Sequence, residues 1–258
     1  MTCRVSVLGC ELDPVDMQEA VERCRELIDS RTPAQHMSVN AAKLVALRSD
    51  ARMREIVRAS ELVTADGLPV VWASRLLGDP LPMRVAGIDL MSRLLELAEN
   101  RGYRIYVLGA RESVLEQAIT RIRERHPRIA IAGHRHGYFA DAESNDVVAG
   151  IRAARPDILF VAISSPRKEY WLSEHGPELA VPLVMGVGGS IDVWAGETKR
   201  APSWMQRTGL EWFYRFLQEP RRMWRRYLFS NVAFAGLLTA ALVRRLFSPA
   251  TKSASEGA

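Results

Sequence analysis

Residues 158–163 read Ile-Leu-Phe-Val-Ala-Ile, an unbroken run of six apolar residues. A strand that is solvated on one face alternates polar and apolar residues, so a continuous run predicts a strand covered on both faces. Ser165-Pro166 follows the run, and proline is favoured in the first turn of a helix. The stretch therefore predicts a central strand of a parallel sheet that leads directly into a helix.

The same alternation of strand and helix extends along the first 200 residues. Seven segments are strand candidates: Val5–Leu8, His36–Asn40, Leu62–Ala65, Arg104–Leu108, Ile129–Gly133, Ile158–Ile163 and Leu183–Val187. Helical patterns separate them: Val15–Ser30, Asp89–Arg101, Ser113–His126, Ala142–Ala154 and Lys168–His175. Asp13-Pro14 is the predicted start of the first helix. The pattern predicts an α/β protein with a Rossmann-like open parallel sheet and helices on both faces. We assign this domain to residues 1–206.

The net positive charge of the chain is confined to its last 58 residues. Residues 201–258 contain nine Lys and Arg against three Asp and Glu. The first 200 residues contain 26 Lys and Arg against 27 Asp and Glu. Aromatic residues such as Trp212, Phe213 and Trp224 lie among these arginines. The pattern predicts a basic, amphipathic helical appendage over 207–247 that faces an anionic and partly apolar partner, such as a membrane surface. Residues 248–258 are predicted to be disordered.

Residues 227–243 are uncharged, and their length is at the lower limit of about 17–25 residues for a membrane-spanning helix. Leu228, Val232, Ala235, Leu238, Leu242 and Leu246 recur at helical spacing and predict one apolar stripe. Three interpretations remain open: a helix lying on a membrane surface, a helix packed on the protein, or a true span.

The composition excludes several classes of protein. Three cysteines without a Cys-x-x-Cys pair argue against a disulfide framework and for a reducing, cytoplasmic compartment. No basic start precedes an apolar core at the N-terminus, so no secretory signal is predicted. The chain lacks the G-x-G-x-x-G fingerprint of dinucleotide-binding dehydrogenases, and its histidines lack metal-ligand spacing. Neither a bound metal nor another cofactor is therefore expected. No nucleic-acid-binding motif is present, so nucleic acid is not an expected partner.

Candidate site residues follow the strands, because ligands of open α/β sheets bind outside the carboxyl ends of the strands. Asp66-Gly67 follows the third strand candidate, and its carboxylate would project into the ligand crevice. That position makes Asp66 the best candidate for a general base. Ser38 and Asn40 follow the second candidate and could bond a sugar, although Asn40 is equally suited to capping a helix.

Glycines and charged residues at other strand ends could bind phosphate. Gly109 would let a phosphate approach a helix N-terminus, or would simply form a tight turn. Gly186, Gly188 and Gly189 lead towards Asp192 and could form an anion-binding nest, or could serve close packing. Arg84 is a candidate phosphate or carboxylate clamp, and Asp89 a further polar contact or a helix cap. Glu169 could bond a sugar hydroxyl or complement a helix dipole.

Read in order, these motifs resemble the WecG/TagA/CpsF family of bacterial glycosyltransferases (glycosyltransferase family 26), over roughly residues 5–230. The matching stretches include Asn40-Ala-Ala-Lys43, Ala65-Asp66-Gly67, Arg84-Val-Ala-Gly87-Ile-Asp89, Tyr106-Val-Leu-Gly109, Pro156-Asp-Ile-Leu159, Ser165-Pro-Arg-Lys-Glu169, Gly186-Val-Gly-Gly189, Arg200-Ala-Pro202, Gly209-Leu-Glu-Trp-Phe-Tyr-Arg215 and Glu219-Pro-Arg221.

The resemblance implies transfer, with inversion, of an N-acetylmannosamine-type sugar or a hexose from a UDP-sugar to an undecaprenyl-diphosphate-linked acceptor at the cytoplasmic face of the membrane. Asp66 is then the base, Ser38 contacts substrate, and the arginines of the region Arg215–Arg226 bind it; of these we select Arg215, Arg221, Arg222 and Arg225. Lys168 stands where the family pattern has a Gln that faces the sugar nucleotide, which leaves the donor open. A homo-oligomer is left open as well.

This assignment divides the appendage near residue 228. Gly209–Tyr227 is predicted to complete the enzyme, and Leu228–Leu246 to hold it against the membrane. The alternative is that the whole appendage serves only as a membrane anchor. From another class, a nucleotide-sugar-binding regulator without turnover also fits the chain.

Overall fold

Six parallel strands form the central sheet of the protein. The structure is a computed structural model that describes residues 3–218 and 220–247, with the side chains of 221–228 outside that description. In spatial order the strands are β4 (Leu62–Ala65), β3 (Ala34–Val39), β8 (Leu183–Gly186), β7 (Ile158–Ala162), β5 (Arg104–Gly109) and β6 (Ala130–Arg135). The predicted Rossmann-like α/β fold is confirmed.

The apolar run that predicted a central strand forms β7, which pairs with β5 on one side and β8 on the other. Ile158 and Phe160 point into one hydrophobic core, and Leu159 and Val161 point into another on the opposite face. All four side chains are fully buried. Because both faces of the strand are covered, polar residues have no place in the run.

Helices cover both faces of the sheet. One face carries α1 (Met17–Asp29), α5 (Gly87–Arg101), α6 (Glu112–Arg125) and α9 (Ser190–Trp194). The other carries α7 (Ser144–Ala154), preceded by a 3₁₀ turn at Asp141–Glu143, and α8 (Arg167–Leu179). Around the β3–β4 edge lie α2 (Ala41–Ala46), α3 (Ala51–Ala59) and α4 (Leu68–Leu77). The five predicted helices are confirmed, with ends shifted by a few residues at most.

The N-terminal segment departs from the sequence prediction. Val5–Val7 (β1) does not join the parallel sheet but pairs antiparallel with Cys10–Leu12 (β2). Leu8 and Gly9 both have positive φ angles and form a two-residue turn, the kind that twists with a hairpin. The predicted helix start at Asp13-Pro14 is also wrong. Asp16 caps α1 through the Glu19 N–H, while the Asp13 carboxylate accepts from the Val63 N–H at 2.7 Å.

Beyond α9, the described part of the chain forms three more helices: α10 (Ser203–Arg207), α11 (Glu211–Gln218) and α12 (Pro220–Phe247). Phe234 of α12 is buried in the core at the β3–β4 edge, and Leu238 packs beside it. Val232 and Leu246 point outward, so the residues predicted to form one stripe lie on two faces of α12. In the described part of the chain, Phe229–Phe247 is the one helical segment long and apolar enough to cross a membrane.

Candidate functional site

The carboxyl ends of β3, β4 and β8 bring several predicted site residues together. Ser38 lies near the end of β3, Asp66 directly follows β4, and Gly186 ends β8. Gly87, the first residue of α5, lies against the first two: a Cβ on it would be 3.4 Å from Ser38 Oγ and 3.9 Å from Asp66 Oδ2. Ser38 and Asp66 therefore face the same space at this edge of the sheet.

Asp66 is anchored by two hydrogen bonds, and the pKa of its carboxyl group is raised. Its N–H donates to the Val39 carbonyl at 2.8 Å, and its carboxylate accepts from the Gly87 N–H. Burial raises the pKa of the Asp66 carboxyl, and the nearby charge of Glu211 raises it further. The Gly87 N–H, Arg84 and Lys43 offset part of this rise. A carboxylate with a raised pKa is a stronger proton acceptor, as a general base requires.

A buried cluster of three charges lies beside Asp66. The Lys43 Nζ of α2 donates to Glu169 Oε1 of α8 at 2.9 Å, and the Lys168 Nζ lies 3.5 Å from the same oxygen. Burial would raise the pKa of the Glu169 carboxyl, but Lys168 and Lys43 outweigh it and hold this pKa well below its ordinary value. Burial lowers the pKa of the Lys168 ammonium, and Lys43 lowers it further. The cluster holds one more cationic side chain than anionic ones.

Lys168 needs the glycine at position 186. A Cβ on Gly186 would lie 2.6 Å from both Cε and Nζ of Lys168, which is closer than nonbonded atoms approach. The lysine side chain therefore passes directly over the backbone at the end of β8. This close packing is the role of Gly186 that the geometry shows, and its part in an anion-binding nest remains a prediction.

Buried polar side chains of β3 and β4 lie next to this cluster. His36 Nε2 and Thr64 Oγ1 form a buried hydrogen bond of 2.9 Å, and burial, with smaller effects of Lys43 and Lys168, lowers the pKa of His36 to about 3. This histidine is therefore neutral at physiological pH. His36 Nδ1 and Ser38 Oγ have no hydrogen-bond partner among the described residues, and both residues line a small cavity with Lys168. Unpaired buried polar atoms are costly, so they mark a place where a polar ligand group would be stabilised.

Arg84 and Asp89 are both engaged in an ion-pair network. The Arg84 guanidinium donates to Glu211 Oε2 at 2.7 Å, and Glu211 Oε1 lies 3.7 Å from Arg200 Nε. Arg200 in turn donates to both carboxylate oxygens of Asp89, at 2.5 and 2.6 Å. Ala86, not Asp89, occupies the N-cap position of α5, so the helix-cap alternative for Asp89 is wrong.

Sequence reasoning did not select Lys43, Arg200 or Glu211 as site residues. Each of them lies inside a stretch that supports the family resemblance, and this was the available signal. Lys43 lies one turn after Asn40, and Glu211 lies one turn before Arg215. Their importance follows from contacts over 126 and 127 residues of chain, to Glu169 and Arg84, which no local pattern encodes.

The glycine-rich turn after β8 receives an arginine from the appendage. The Arg215 guanidinium occupies the space that a Cβ on Gly189 would need. Gly188 has a φ of +49°, a conformation that glycine adopts without strain. Asp192 lies in the short helix α9 that follows. A cation therefore lies at this turn, as phosphate binding requires. The N–H groups of Val187 and Gly188 donate to the Val161 carbonyl, so an anion-binding nest at this turn stays a prediction.

The remaining predicted site residues either have structural roles or have side chains that the structure does not describe. Asn40 caps α2, accepting from the Lys43 N–H at 3.0 Å, so its capping interpretation is confirmed. Gly109 has a φ of +131° and packs directly on the backbone of Ala162, which is the behaviour of a tight turn. Phosphate contact by Gly109 stays a prediction. The side chains of Arg221, Arg222 and Arg225 lie outside the described residues.

Metal ligands do not converge in the described part of the chain. Over residues 3–218 and 220–247, no three His, Cys, Asp or Glu side chains form a cluster able to hold a metal ion. The cationic groups near Asp66 are instead lysines and arginines. The arrangement is typical of an enzyme that transfers a group by abstracting a proton while cations stabilise an anionic leaving group.

Comparison with known proteins narrows this class. A sequence model of the glycosyl transferase WecG/TagA/CpsF family matches residues 5–248. A Staphylococcus aureus (strain MW2) protein named N-acetylglucosaminyldiphosphoundecaprenol N-acetyl-beta-D-mannosaminyltransferase is 33% identical over 226 residues, covering 87% of this chain and 88% of its own. A protein of the same name from Bacillus spizizenii is 38% identical over 177 residues, covering 69% of this chain and 68% of its own. The chain therefore belongs to the WecG/TagA/CpsF family and is a glycosyltransferase.

Proposed function

We propose that this enzyme transfers an N-acetylmannosamine-type sugar or a hexose from a UDP-sugar to an undecaprenyl-diphosphate-linked sugar, with inversion at the anomeric carbon. The observation that carries the proposal is the position of Asp66, a carboxylate of raised pKa beside Ser38 at the carboxyl edge of the sheet. The names of the similar proteins, which specify a lipid-linked acceptor and an N-acetylmannosaminyl group, support the choice of substrates.

In this mechanism Asp66 accepts the proton of the acceptor hydroxyl as the oxygen attacks the anomeric carbon. The bond to the UDP oxygen breaks in the same step, and negative charge grows on the diphosphate. Arg215, whose guanidinium lies directly against Gly189, would stabilise that charge together with the Gly189 N–H. Arg84 can contribute as well, because its guanidinium lies beside Asp66 and already binds a carboxylate. Preorganised cations and amides are effective because they need no rearrangement when the charge develops.

The membrane surface is the proposed location of the reaction. The outward face of α12 carries Phe229, Val232, Val243, Leu246 and Phe247, and each of these side chains is at least 46% exposed. Phe234 and Leu238, on the opposite face, pack on the protein. A helix that packs on one face and presents apolar residues on the other is suited to lying on a bilayer surface beside a lipid-linked substrate.

The predicted division of the appendage near residue 228 does not coincide with a break in the helix, since α12 is continuous from Pro220 to Phe247.

The proposed function is tested by measuring UDP release from a panel of UDP-sugars, with an undecaprenyl-diphosphate-sugar analogue as acceptor. We expect release that requires the acceptor and continues in EDTA. Binding of a UDP-sugar without turnover under any acceptor condition would contradict the proposal and would favour a regulatory protein. Complete inhibition by EDTA would contradict the metal-independent mechanism alone.

A further inference from the structure

The charged side of helix α11 contacts residues of the candidate site. Glu211 and Arg215 are four residues apart and therefore lie on the same side of the helix. Glu211 contacts Arg84, and Arg215 contacts the turn at Gly189. Phe213 and Leu217, on the other side of α11, are 38% and 58% exposed. The helix thus separates the site from an apolar outer surface.

Both ends of α11 are tied to the segment that precedes α10. At its N-terminus, Glu211 pairs with Arg200 at 3.7 Å. At its C-terminus, the Gln218 side chain exchanges two hydrogen bonds of 2.9 Å with the backbone of Lys199. Lys199 and Arg200 are adjacent in sequence, so one short segment holds the helix at two points. Arg200 is itself anchored by Asp89 of α5.

We propose that Glu211 is a positioning residue, whose ion pairs with Arg84 and Arg200 hold α11 over the site and place a negative charge near Asp66. Docking of the C-terminal helices would then determine how readily Asp66 accepts a proton. The inference rests on the proposed role of Asp66. It assigns to the appendage a part in proton transfer, in addition to substrate and membrane contact.

The charges around Asp66 determine the direction of the effect. Glu211 is the anionic side chain that raises the pKa of the Asp66 carboxyl, and burial acts in the same direction. Arg84 before α5, Lys43 of α2 and the Gly87 N–H lower this pKa, and Lys168 of α8 also interacts with Asp66 by its charge. Without Glu211, Arg84 would also lose its carboxylate partner and could act on Asp66 alone. Both consequences lower the pKa of Asp66.

The test compares Glu211→Gln with Glu211→Asp in the full-length chain. The pKa of Asp66 is read by ¹³C NMR of labelled aspartate carboxyl groups, with the resonance assigned from Asp66→Asn. We expect Glu211→Gln to lower the pKa of Asp66, whereas Glu211→Asp, which keeps the charge, should leave this pKa close to that of the wild type. Glu174→Gln is the matched control, since Glu174 forms an exposed ion pair with Arg52 on the outside of α8 and its loss should leave Asp66 unchanged.

Activity supplies the second readout. The acidic limb of the kcat/KM profile should move to lower pH by the same amount in Glu211→Gln, and the plateau rate should fall by about threefold to tenfold because a weaker base accepts the proton. An unchanged Asp66 titration in a folded Glu211→Gln protein overturns the inference. If that variant does not fold, Glu211→Ala must show the same downward shift. A wild type that titrates as expected but transfers no sugar would contradict only the proposed function.

Discussion

Lys168 crosses the backbone of Gly186 so closely that its Cε and Nζ lie 2.6 Å from the position of a Cβ there. The lysine is 9% exposed, and its ammonium reaches Glu169 at 3.5 Å. A glycine at the end of β8 and a lysine in the first turn of α8 therefore act as a pair. The glycine allows a cation to lie beneath the space that Asp66 and Ser38 face.

Gly186→Ala should displace Lys168. The methyl group can be accommodated only if the flexible lysine side chain moves, so we expect a modest loss of stability, about 1–3 kcal/mol, and an increased KM for the donor. Thermal unfolding and donor titration measure the two effects. Gly150→Ala is the control: Gly150 lies on α7 with nothing within 4 Å of an added Cβ, and this change should stabilise the protein by about 0.5–1 kcal/mol without altering KM. Equal KM values for both variants would contradict the pairing.

Lys168→Gln should change donor selection. The glutamine removes a buried cation and restores the residue type of the family pattern at this position. A hydrogen bond to a charged group is worth about 1.5–3 kcal/mol, so kcat/KM for the native donor should fall by about 10- to 100-fold. The measurement is kcat/KM over a panel of UDP-sugars, and we expect the ranking of donors to change. An unchanged ranking with an unchanged rate would show that Lys168 does not contact the donor.

Asp66→Asn should inactivate the enzyme without destabilising it. Loss of general-base catalysis is typically worth about 10²–10⁴-fold in rate, and kcat should fall within that range. Because the pKa of Asp66 is raised in the folded state, its charged form is disfavoured by folding at neutral pH. The neutral amide should therefore leave the melting temperature unchanged or higher at pH 7, and this advantage should disappear in acid, where Asp66 is protonated.

Near-full turnover by Asp66→Asn on the native acceptor would contradict the assignment of the base. A strong loss of stability at pH 7 would contradict the direction of the pKa shift.

Glu169→Gln should be strongly destabilising. Glu169 is fully buried and neutralises Lys43 and Lys168, so removal of its charge leaves two buried cations without a counter-ion. Breaking a buried ion pair in this way costs about 3–5 kcal/mol, whereas loss of the exposed Glu174–Arg52 pair on the same helix should cost at most about 1 kcal/mol. Denaturant unfolding of Glu169→Gln and Glu174→Gln gives the comparison.

The stabilisation of the folded protein by Glu169 should depend on pH in a defined direction. The pKa of the Glu169 carboxyl is lowered on folding, so its contribution to stability is present above its unfolded pKa and is lost as pH falls through the lower, folded value. The difference in the free energy of unfolding between wild type and Glu169→Gln should therefore become smaller in strong acid. A constant difference down to low pH would contradict the ion-pair account.

The two faces of α12 should respond differently to substitution. Phe229 and Val232 are 68% and 66% exposed, so Phe229→Ser with Val232→Ser should leave thermal stability unchanged and reduce co-sedimentation with anionic vesicles by about tenfold. Phe234→Ala, on the buried face, should lower stability by about 3–5 kcal/mol. Point changes are preferable to deletion of residues 228–258, since deletion removes Phe234 from the core. Undiminished vesicle binding by the double variant would contradict membrane contact through this face.

The strands of the parallel sheet and five of the helices that cover it could be predicted because their signal is local, whereas the shorter helices α2, α3 and α4 were not among the predicted ones. The six-residue apolar run became β7, and the positions after β3, β4 and β8 did converge, since the carboxyl ends of parallel strands share one edge. The β1–β2 hairpin was mistaken for a sheet strand because three extended residues look alike in either pairing. Arg84 and Asp89 were recognised, but their partners Glu211 and Arg200 were not, because ion pairs between distant segments leave no periodic pattern.

The order of apolar and polar residues by itself determined the fold class, since burial and strand direction follow from local pattern. It also indicated the edge of the sheet for the candidate site and Asp66 as the candidate base. Only the tertiary structure decided which charges surround that base. Lys43, Lys168, Glu169 and Glu211 come from α2, α8 and α11, and their mutual distances set the direction of each pKa shift. Electrostatic energy depends on separation in space and on burial, and neither can be read from separation along the chain.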